Sequence, residues 1–102
     1  MIHVVATIEL QPGTRELFLG EFRRLVPEVR AEAGCLEYGA AVDVASGLGP
    51  QSALRPDVVV VIEKWSDPAA LRAHAGAPHM AAYRARVREW VVRTTLQVLE
   101  PA

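Results

Sequence analysis

The fold is decided by the stretch Val58-Val59-Val60-Val61-Ile62-Glu63-Lys64-Trp65-Ser66-Asp67-Pro68, in which a strand gives way to a helix. Consecutive β-branched residues favour an extended strand over residues 58–65. The next three residues are typical of a helix start, because Asp67 can cap the helix and Pro68 suits its first position. We therefore predict a strand that leads directly into a helix.

Upstream of this stretch, the sequence predicts a strand and an amphipathic helix. Residues 2–10 are β-branched and roughly alternate between two faces, and Pro12-Gly13 breaks that pattern. Apolar residues then recur at helical spacing at Phe18, Phe22, Leu25, Val29 and Ala33. Gly34 suits a left-handed cap at the end of this helix, and Pro27 predicts a kink or break near Leu25 and Val26.

A second strand is predicted from about Leu36 to Val44, and we expect it to pair with residues 58–65 as a hairpin. The connection from Ala45 to Asp57 is rich in turn-forming residues and long for a hairpin loop. Two interpretations of this loop are open, a mobile segment or a lid.

The second helical region is predicted in two pieces. A short helix carries Leu71 and His74, and Gly76 and Pro78 interrupt the pattern. Helical spacing resumes at Met80, Tyr83, Val87 and Trp90. A last strand is predicted from Val91 to Glu100.

Two strand–helix–strand units in this order predict one α+β domain over residues 1–102. The layout is ferredoxin-like, β-α-β-β-α-β, with the helices on one face of an antiparallel sheet. The other face would carry His3, Val5 and Thr7 beside alternating valines of the third strand. Because such a face is too apolar to be left wholly in water, we expect a homodimer in which a second copy covers it.

Composition argues against several kinds of partner. The chain has 11 Lys and Arg against 12 Asp and Glu, a net charge of -1, so nothing favours nucleic acid. The apolar run from Val58 to Ile62 is far shorter than a membrane span, so no membrane partner is expected. Cys35 is the only cysteine and the N-terminus lacks a signal-peptide layout, which favours a cytoplasmic protein without an internal disulfide.

Few side chains can carry chemistry, and each has a structural alternative. His79 opens the second helical piece, where it either satisfies backbone groups or acts in an active site. His74 has the same two interpretations on its short helix. Glu63 and Trp65 share a strand face, so Trp65 is either core filler or part of a site. A carboxylate at Glu63, in a valine-rich strand, must be paired or lie at the rim.

Tyr38, Tyr83 and Arg86 complete the candidate set. A buried tyrosine or arginine needs a hydrogen-bond partner, although an arginine on a helix is most often solvated. His74 and His79 are separated by five positions with Pro78 between them. That is not the four-residue helical spacing of a zinc pair, so no metal site is predicted.

Several short motifs together resemble one family. They are Glu32-Ala33-Gly34-Cys35-Leu36-Glu37-Tyr38, Ile62-Glu63-Lys64-Trp65-Ser66-Asp67, Leu71-Arg72-Ala73-His74 and Pro78-His79. In this order and at these positions they resemble the antibiotic biosynthesis monooxygenase domain family, which includes quinol monooxygenases. The resemblance covers nearly the whole chain and implies a dimeric α+β barrel.

The resemblance also implies cofactor-independent oxidation of an electron-rich aromatic by dioxygen, typically a hydroquinone, naphthol or anthrone. A base would remove a phenolic or enolic proton, and the anion would pass an electron to dioxygen. His79 is the expected base or hydrogen-bond partner, with His74 as its neighbour. Tyr38 and Arg86 are expected to donate to the developing oxyanion and Trp65 to wall the pocket, while Glu63 and Tyr83 are further substrate-binding candidates.

Departures from the family pattern leave other functions open. The first strand lacks the asparagine of haem-degrading relatives, so haem degradation is disfavoured, and the loop from Ala45 to Asp57 is longer than is usual. One alternative is an isomerase acting on a small signal-type ketose, which would want a polar pocket. The other is a non-catalytic ligand-binding or dimerisation module, which a pocket too small for an aromatic ring would favour.

Overall fold

A computed structural model describes all of residues 1–102. Its elements follow the order β1 Ile2–Leu10, α1 Arg15–Arg30, β2 Cys35–Ala41, β3 Val58–Trp65, α2 Pro68–Ala75, α3 Pro78–Val87 and β4 Val91–Leu99. The predicted order of strands and helices is confirmed, including the division of the second helical region into two pieces. No helix combines the length and the apolar character needed to cross a membrane.

The four strands form one antiparallel sheet in the order β2-β3-β1-β4. Strand β1 alternates strictly, with every second side chain buried from Ile2 to Leu10. The register pairs Val4 with Glu63, and Tyr38 with Glu63 on the far side, so these three side chains form one row across the sheet. The ferredoxin-like α+β fold is therefore confirmed.

The core lies between the sheet and the helices. Helix α1 buries an apolar stripe of five residues, which are Phe18, Leu19, Phe22, Leu25 and Val29. This stripe packs on the sheet, where Phe22 of α1 stacks on Tyr38 of β2 with ring centroids 5.3 Å apart. Because all three helices pack on one face, the other face of the sheet is left without a covering layer.

Two boundaries differ from those predicted. Helix α1 ends at Arg30, before Gly34: the Ala31 amide still bonds to the Pro27 carbonyl in the helical pattern, and the Glu32 amide then bonds to the Val29 carbonyl in a tighter turn. Gly34 has a φ of +82° and supports the chain reversal into β2 rather than the helix end. Pro27 does not break the helix, which runs on through it, and β2 ends at Ala41 rather than Val44.

The loop after β2 is anchored at the end of the sheet where β1 ends. Its two ends are joined by a bidentate ion pair between Arg55 and Asp43, with both N–O distances 2.9 Å. Asp57 accepts hydrogen bonds from the amides of Leu10 and Gly13, at 2.8 and 3.0 Å. These contacts hold the loop against the turn between β1 and α1.

Candidate active site

A cavity of about 690 Å³ lies between the inner face of the sheet and the helices. Of its 20 lining residues 15 are hydrophobic, including Val4, Ala6 and Ile8 on the sheet and Phe18 and Phe22 on α1. This volume and this apolar lining are typical of a site for a small organic molecule. The loop over residues 42–57 contributes nothing to the lining, so the structure gives no support to its interpretation as a lid.

His74 brings an imidazole to the cavity from helix α2. The helix begins where predicted, because the Asp67 carboxylate accepts a hydrogen bond from the Ala70 amide at 2.8 Å. Two turns later the His74 side chain points inward, is 5% exposed and lines the cavity. Its ring packs on Trp65, with centroids 4.6 Å apart, and against Tyr38 at 5.5 Å. The ring is thus held on two sides by aromatic contacts.

Glu32, in the turn between α1 and β2, joins the two histidines. Its Oε2 lies 2.9 Å from Nδ1 of His74 and 2.8 Å from Nε2 of His79. When the Glu32 carboxylate is ionised it only accepts hydrogen bonds, and the protonated nitrogens are then Nδ1 of His74 and Nε2 of His79. In the neutral state of His74 this leaves Nε2 as the nitrogen with a free lone pair. No group of three or more His, Cys, Asp or Glu side chains is arranged to hold a metal ion.

Glu63 is a buried carboxyl on the cavity wall. It accepts a hydrogen bond from the indole Nε1 of Trp65 at 2.9 Å, and its Oε1 lies 4.0 Å from Nε2 of His74. Burial raises the pKa of Glu63 above its usual range, while the Trp65 hydrogen bond and the nearby His74 ring oppose that shift. The carboxylate is therefore paired, as a charge at this position in a valine-rich strand requires.

Tyr38 and Tyr83 place two phenol groups on the cavity wall. Burial is the main cause that raises the pKa of both hydroxyls well above the ordinary value, and the nearby Glu63 adds to the shift for Tyr38. Both hydroxyls are therefore protonated at neutral pH. Each can donate a hydrogen bond to an anionic oxygen in the cavity.

Three sequence candidates lie outside the cavity lining. Trp65 is fully buried behind His74, where it donates to Glu63 instead of forming a wall. His79 is 27% exposed and is connected to His74 only through Glu32. Arg86 donates to Glu21 on α1 at 2.9 Å and does not line the cavity, so the structure does not bring it to the place expected for an oxyanion donor.

Arg84 and Arg88 line the cavity where Arg86 was expected. With 3.6 residues per turn, positions four apart share a helix face and position 86 lies on the opposite side. Arg84 also donates to the carbonyl of Ala75 at 3.0 Å, which fixes its stem near the end of α2. The buried residues Tyr83 and Val87 mark the inward face, but positions 84 and 86 flank that face equally, so the sequence offered no signal that favours Arg84 and Arg88 over Arg86.

Glu32 lies in one of the family motifs, but no local sequence pattern predicts a role for it. It is 42 residues from His74 and 47 from His79 in the chain. Only the packing of the α1–β2 turn against α2 and α3 brings the three side chains together.

These features define a small α+β enzyme class, in which an apolar cavity is furnished with an imidazole, a buried carboxyl and two phenols. Residues 1–86 match the family model described as antibiotic biosynthesis monooxygenase, and the chain belongs to that family. The resemblance read from the motifs is thereby confirmed, and it gives the chain a monooxygenase-type function.

Known proteins similar over their full length support this assignment. The chain is 40% identical over 103 residues to the "Probable quinol monooxygenase YgiN" of Escherichia coli K12, covering 99% of this chain and 98% of the relative. The crystal structure of PA3566 from Pseudomonas aeruginosa superposes with a TM-score of 0.80 at 29% identity, covering 99% and 93% of the two chains. The structure of Rv0793 from Mycobacterium tuberculosis gives a TM-score of 0.80 at 26% identity, covering 99% and 94%.

Proposed function

We propose that this chain oxidises a hydroquinone-like aromatic with dioxygen and without a cofactor, using His74 as the general base. The observation that carries the proposal is the position of His74 at the wall of an apolar cavity, with its Nδ1 2.9 Å from Oε2 of Glu32, which leaves Nε2 to accept a proton. A neutral imidazole placed in this way can accept a phenolic proton. The family membership and the name of the E. coli relative favour a quinol as substrate.

The reaction balances without a further reactant. His74 removes a proton from one hydroxyl, and the phenolate gives one electron to dioxygen, forming a semiquinone and superoxide. These combine at a ring carbon to give a hydroperoxide. Loss of the ring C–H proton and cleavage of the O–O bond then release water and leave a hydroxyquinone. One oxygen atom of dioxygen enters the product and the other leaves as water.

The wall of the cavity suits the charges that this path creates. The hydroxyls of Tyr38 and Tyr83 can donate to the phenolate or to the peroxide oxygen. Arg84 and Arg88 add positive charge at the same cavity. The apolar lining holds the aromatic ring and strengthens each of these interactions by keeping water away.

The two alternative functions fit this site less well. An isomerase acting on a small ketose wants a polar pocket, whereas 15 of the 20 lining residues are hydrophobic. A pocket too small for an aromatic ring would favour a non-catalytic module. The cavity of about 690 Å³ is large enough to hold an aromatic ring.

Oxygen uptake by purified protein over a panel of hydroquinones and naphthols tests the proposal. The protein is treated with a chelator and verified free of flavin, and uptake is compared with autoxidation in buffer and with heat-denatured protein. We expect uptake above both controls and, under ¹⁸O₂, one labelled oxygen atom in the product. Uptake no faster than buffer across the panel would contradict the proposed function.

We further propose that a second copy of the chain covers the outer face of the sheet. The register places Val5 beside Ile62 and Thr7 beside Val60 on this face, opposite the helices. Ile62 remains 45% exposed, although it lies near the middle of the hairpin. An apolar face with no helix on it is covered most simply by the same face of a partner related by a two-fold axis.

The change Ile62→Asp is expected to convert the dimer to a monomer, because it buries a carboxylate in the apolar interface. Light scattering coupled to gel filtration measures the mass directly. Leu17→Asp is the matched control, since Leu17 is 58% exposed on helix α1, away from this face. A wild-type protein that is monomeric at micromolar concentration would refute the dimer, and so would an Ile62→Asp variant that stays dimeric.

A further inference from the structure

We propose that Glu32 is a positioning residue that selects the reactive tautomer of His74, and that His79 holds Glu32 in place for this task. The inference deepens the proposed function and rests on it where the reaction is concerned. It assigns His79 a supporting role, whereas His74 is the residue that removes the proton from the substrate.

The order of the three side chains from cavity to surface supports this division of roles. His74 is 5% exposed and lines the cavity, Glu32 is 15% exposed behind it, and His79 is 27% exposed beyond both. A single carboxylate oxygen, Oε2 of Glu32, accepts the hydrogen bonds from both histidines. A substrate in the cavity can therefore reach His74 and meets neither of the other two.

The tautomer of His74 follows from the distances between its two ring nitrogens and the carboxylates of Glu32 and Glu63. Glu32 lies 2.9 Å from Nδ1, within hydrogen-bond distance, whereas Glu63 lies 4.0 Å from Nε2, beyond it. Burial also raises the pKa of Glu63, which disfavours its anionic form. The proton of neutral His74 is thus held on Nδ1, and the lone pair of Nε2 is left for the substrate.

The opposite tautomer would be inactive as a base at the cavity. It would place a lone pair of Nδ1 against the carboxylate of Glu32 and a proton on Nε2, so that His74 could donate to the substrate but not accept from it. Once His74 has taken the substrate proton, the negative charge of Glu32 also stabilises the imidazolium. Both effects act on the chemical step and not on the affinity for substrate.

His79 has a separate effect on the same carboxylate. Its Nε2 lies 2.8 Å from Oε2 of Glu32, the same oxygen that accepts the hydrogen bond from His74. This second hydrogen bond limits the rotation of the Glu32 side chain. A glutamine at position 79 can present an N–H donor in a similar place, whereas alanine cannot. The pair His79→Gln and His79→Ala therefore separates a supporting donor from a base.

Glu32→Gln is the principal test. The amide nitrogen can turn toward Nδ1 of His74 and donate to it, which moves the imidazole proton to Nε2. We expect kcat for a hydroquinone to fall about 100-fold or more with KM nearly unchanged, as for a base locked in the wrong tautomer. Glu28→Gln, the same chemical change at an exposed position of α1, is expected to match the wild type.

Nitrogen-15 NMR of the histidine rings reads the tautomer without any reaction. In the wild type we expect neutral His74 to carry its proton on Nδ1, and in Glu32→Gln on Nε2. Wild-type protein with His74 protonated on Nε2 would overturn the inference, whether or not the protein oxidises any quinol. Absence of oxygen uptake by the wild type with the expected tautomer would refute the proposed function and leave the positioning geometry supported.

The kinetic outcomes separate the roles of the two histidines. The inference is supported if His79→Gln retains activity within a few fold of wild type and His79→Ala loses more. It is overturned if His79→Gln lowers kcat as far as Glu32→Gln does, because His79 would then act by accepting a proton. It is also overturned if Glu32→Gln retains wild-type kcat.

Discussion

Replacing His74 by asparagine is expected to lower kcat/KM for a hydroquinone by about 100-fold or more while the protein stays folded. The amide nitrogen of asparagine can occupy roughly the place of Nδ1 and keep a hydrogen bond to Glu32, but nothing replaces the lone pair of Nε2. The substitution thus removes the base and preserves the contact. Oxygen uptake over a range of substrate concentrations measures the effect.

Arg72→Ala serves as the control for this variant, since Arg72 lies on the exposed side of the same helix and outside the cavity lining. It is expected to retain wild-type rates. Thermal unfolding of both variants distinguishes a lost base from a lost fold. Activity of His74→Asn within about threefold of wild type would show that another group takes the proton, and Glu63 would be the next to examine.

Replacing Gly34 by alanine is expected to destabilise the protein by about 2–5 kcal/mol. Gly34 has a φ of +82°, which costs an L-residue about 1–2 kcal/mol. An added Cβ would also lie 2.6 Å from the Cβ of Ala70 and 2.6 Å from Oγ of Ser66. The Gly34 carbonyl accepts a hydrogen bond from the Ser66 amide at 2.9 Å, so the backbone there has little freedom to move away.

Gly13→Ala separates the two costs. Gly13 has a similar φ of +79°, but an added Cβ there would meet nothing within 4 Å. We expect it to lose about 1–2 kcal/mol, which leaves about 1–3 kcal/mol at Gly34 for steric overlap. Urea unfolding gives both free energies. Equal losses in the two variants would mean that the contact between the α1–β2 turn and α2 relaxes without cost.

The strands and helix starts could be predicted because their causes are local. Alternating β-branched residues in β1 and the valine run of β3 favour extended chain wherever they lie. The cap at Asp67 needs only the amide of Ala70, three residues away. The end of α1 was harder to predict, because Gly34 marks a chain reversal that is set by contact with α2 and not by the helix itself.

The candidate site could be predicted only in part. Family motifs pointed to His74, Tyr38 and Glu63, which the structure gathers at one cavity. The motifs also favoured His79, and the resemblance implied a role for Arg86, but these two side chains face Glu32 and Glu21 instead of the cavity. The sequence position of a helical residue shows which residues are its neighbours along the helix, but it does not show which face of the helix packs on the sheet.

The sequence by itself determined the element order, the α+β class and the family, because hydrophobic periodicity, turn residues and short motifs are properties of neighbouring positions. Only the tertiary structure decided which groups lie together. Glu32 reaches His74 and His79 across more than 40 residues of chain, and Arg84 and Arg88 take the place expected for Arg86. The physical reason is that hydrogen bonds and burial depend on distances in space, which the packing of helices on the sheet sets.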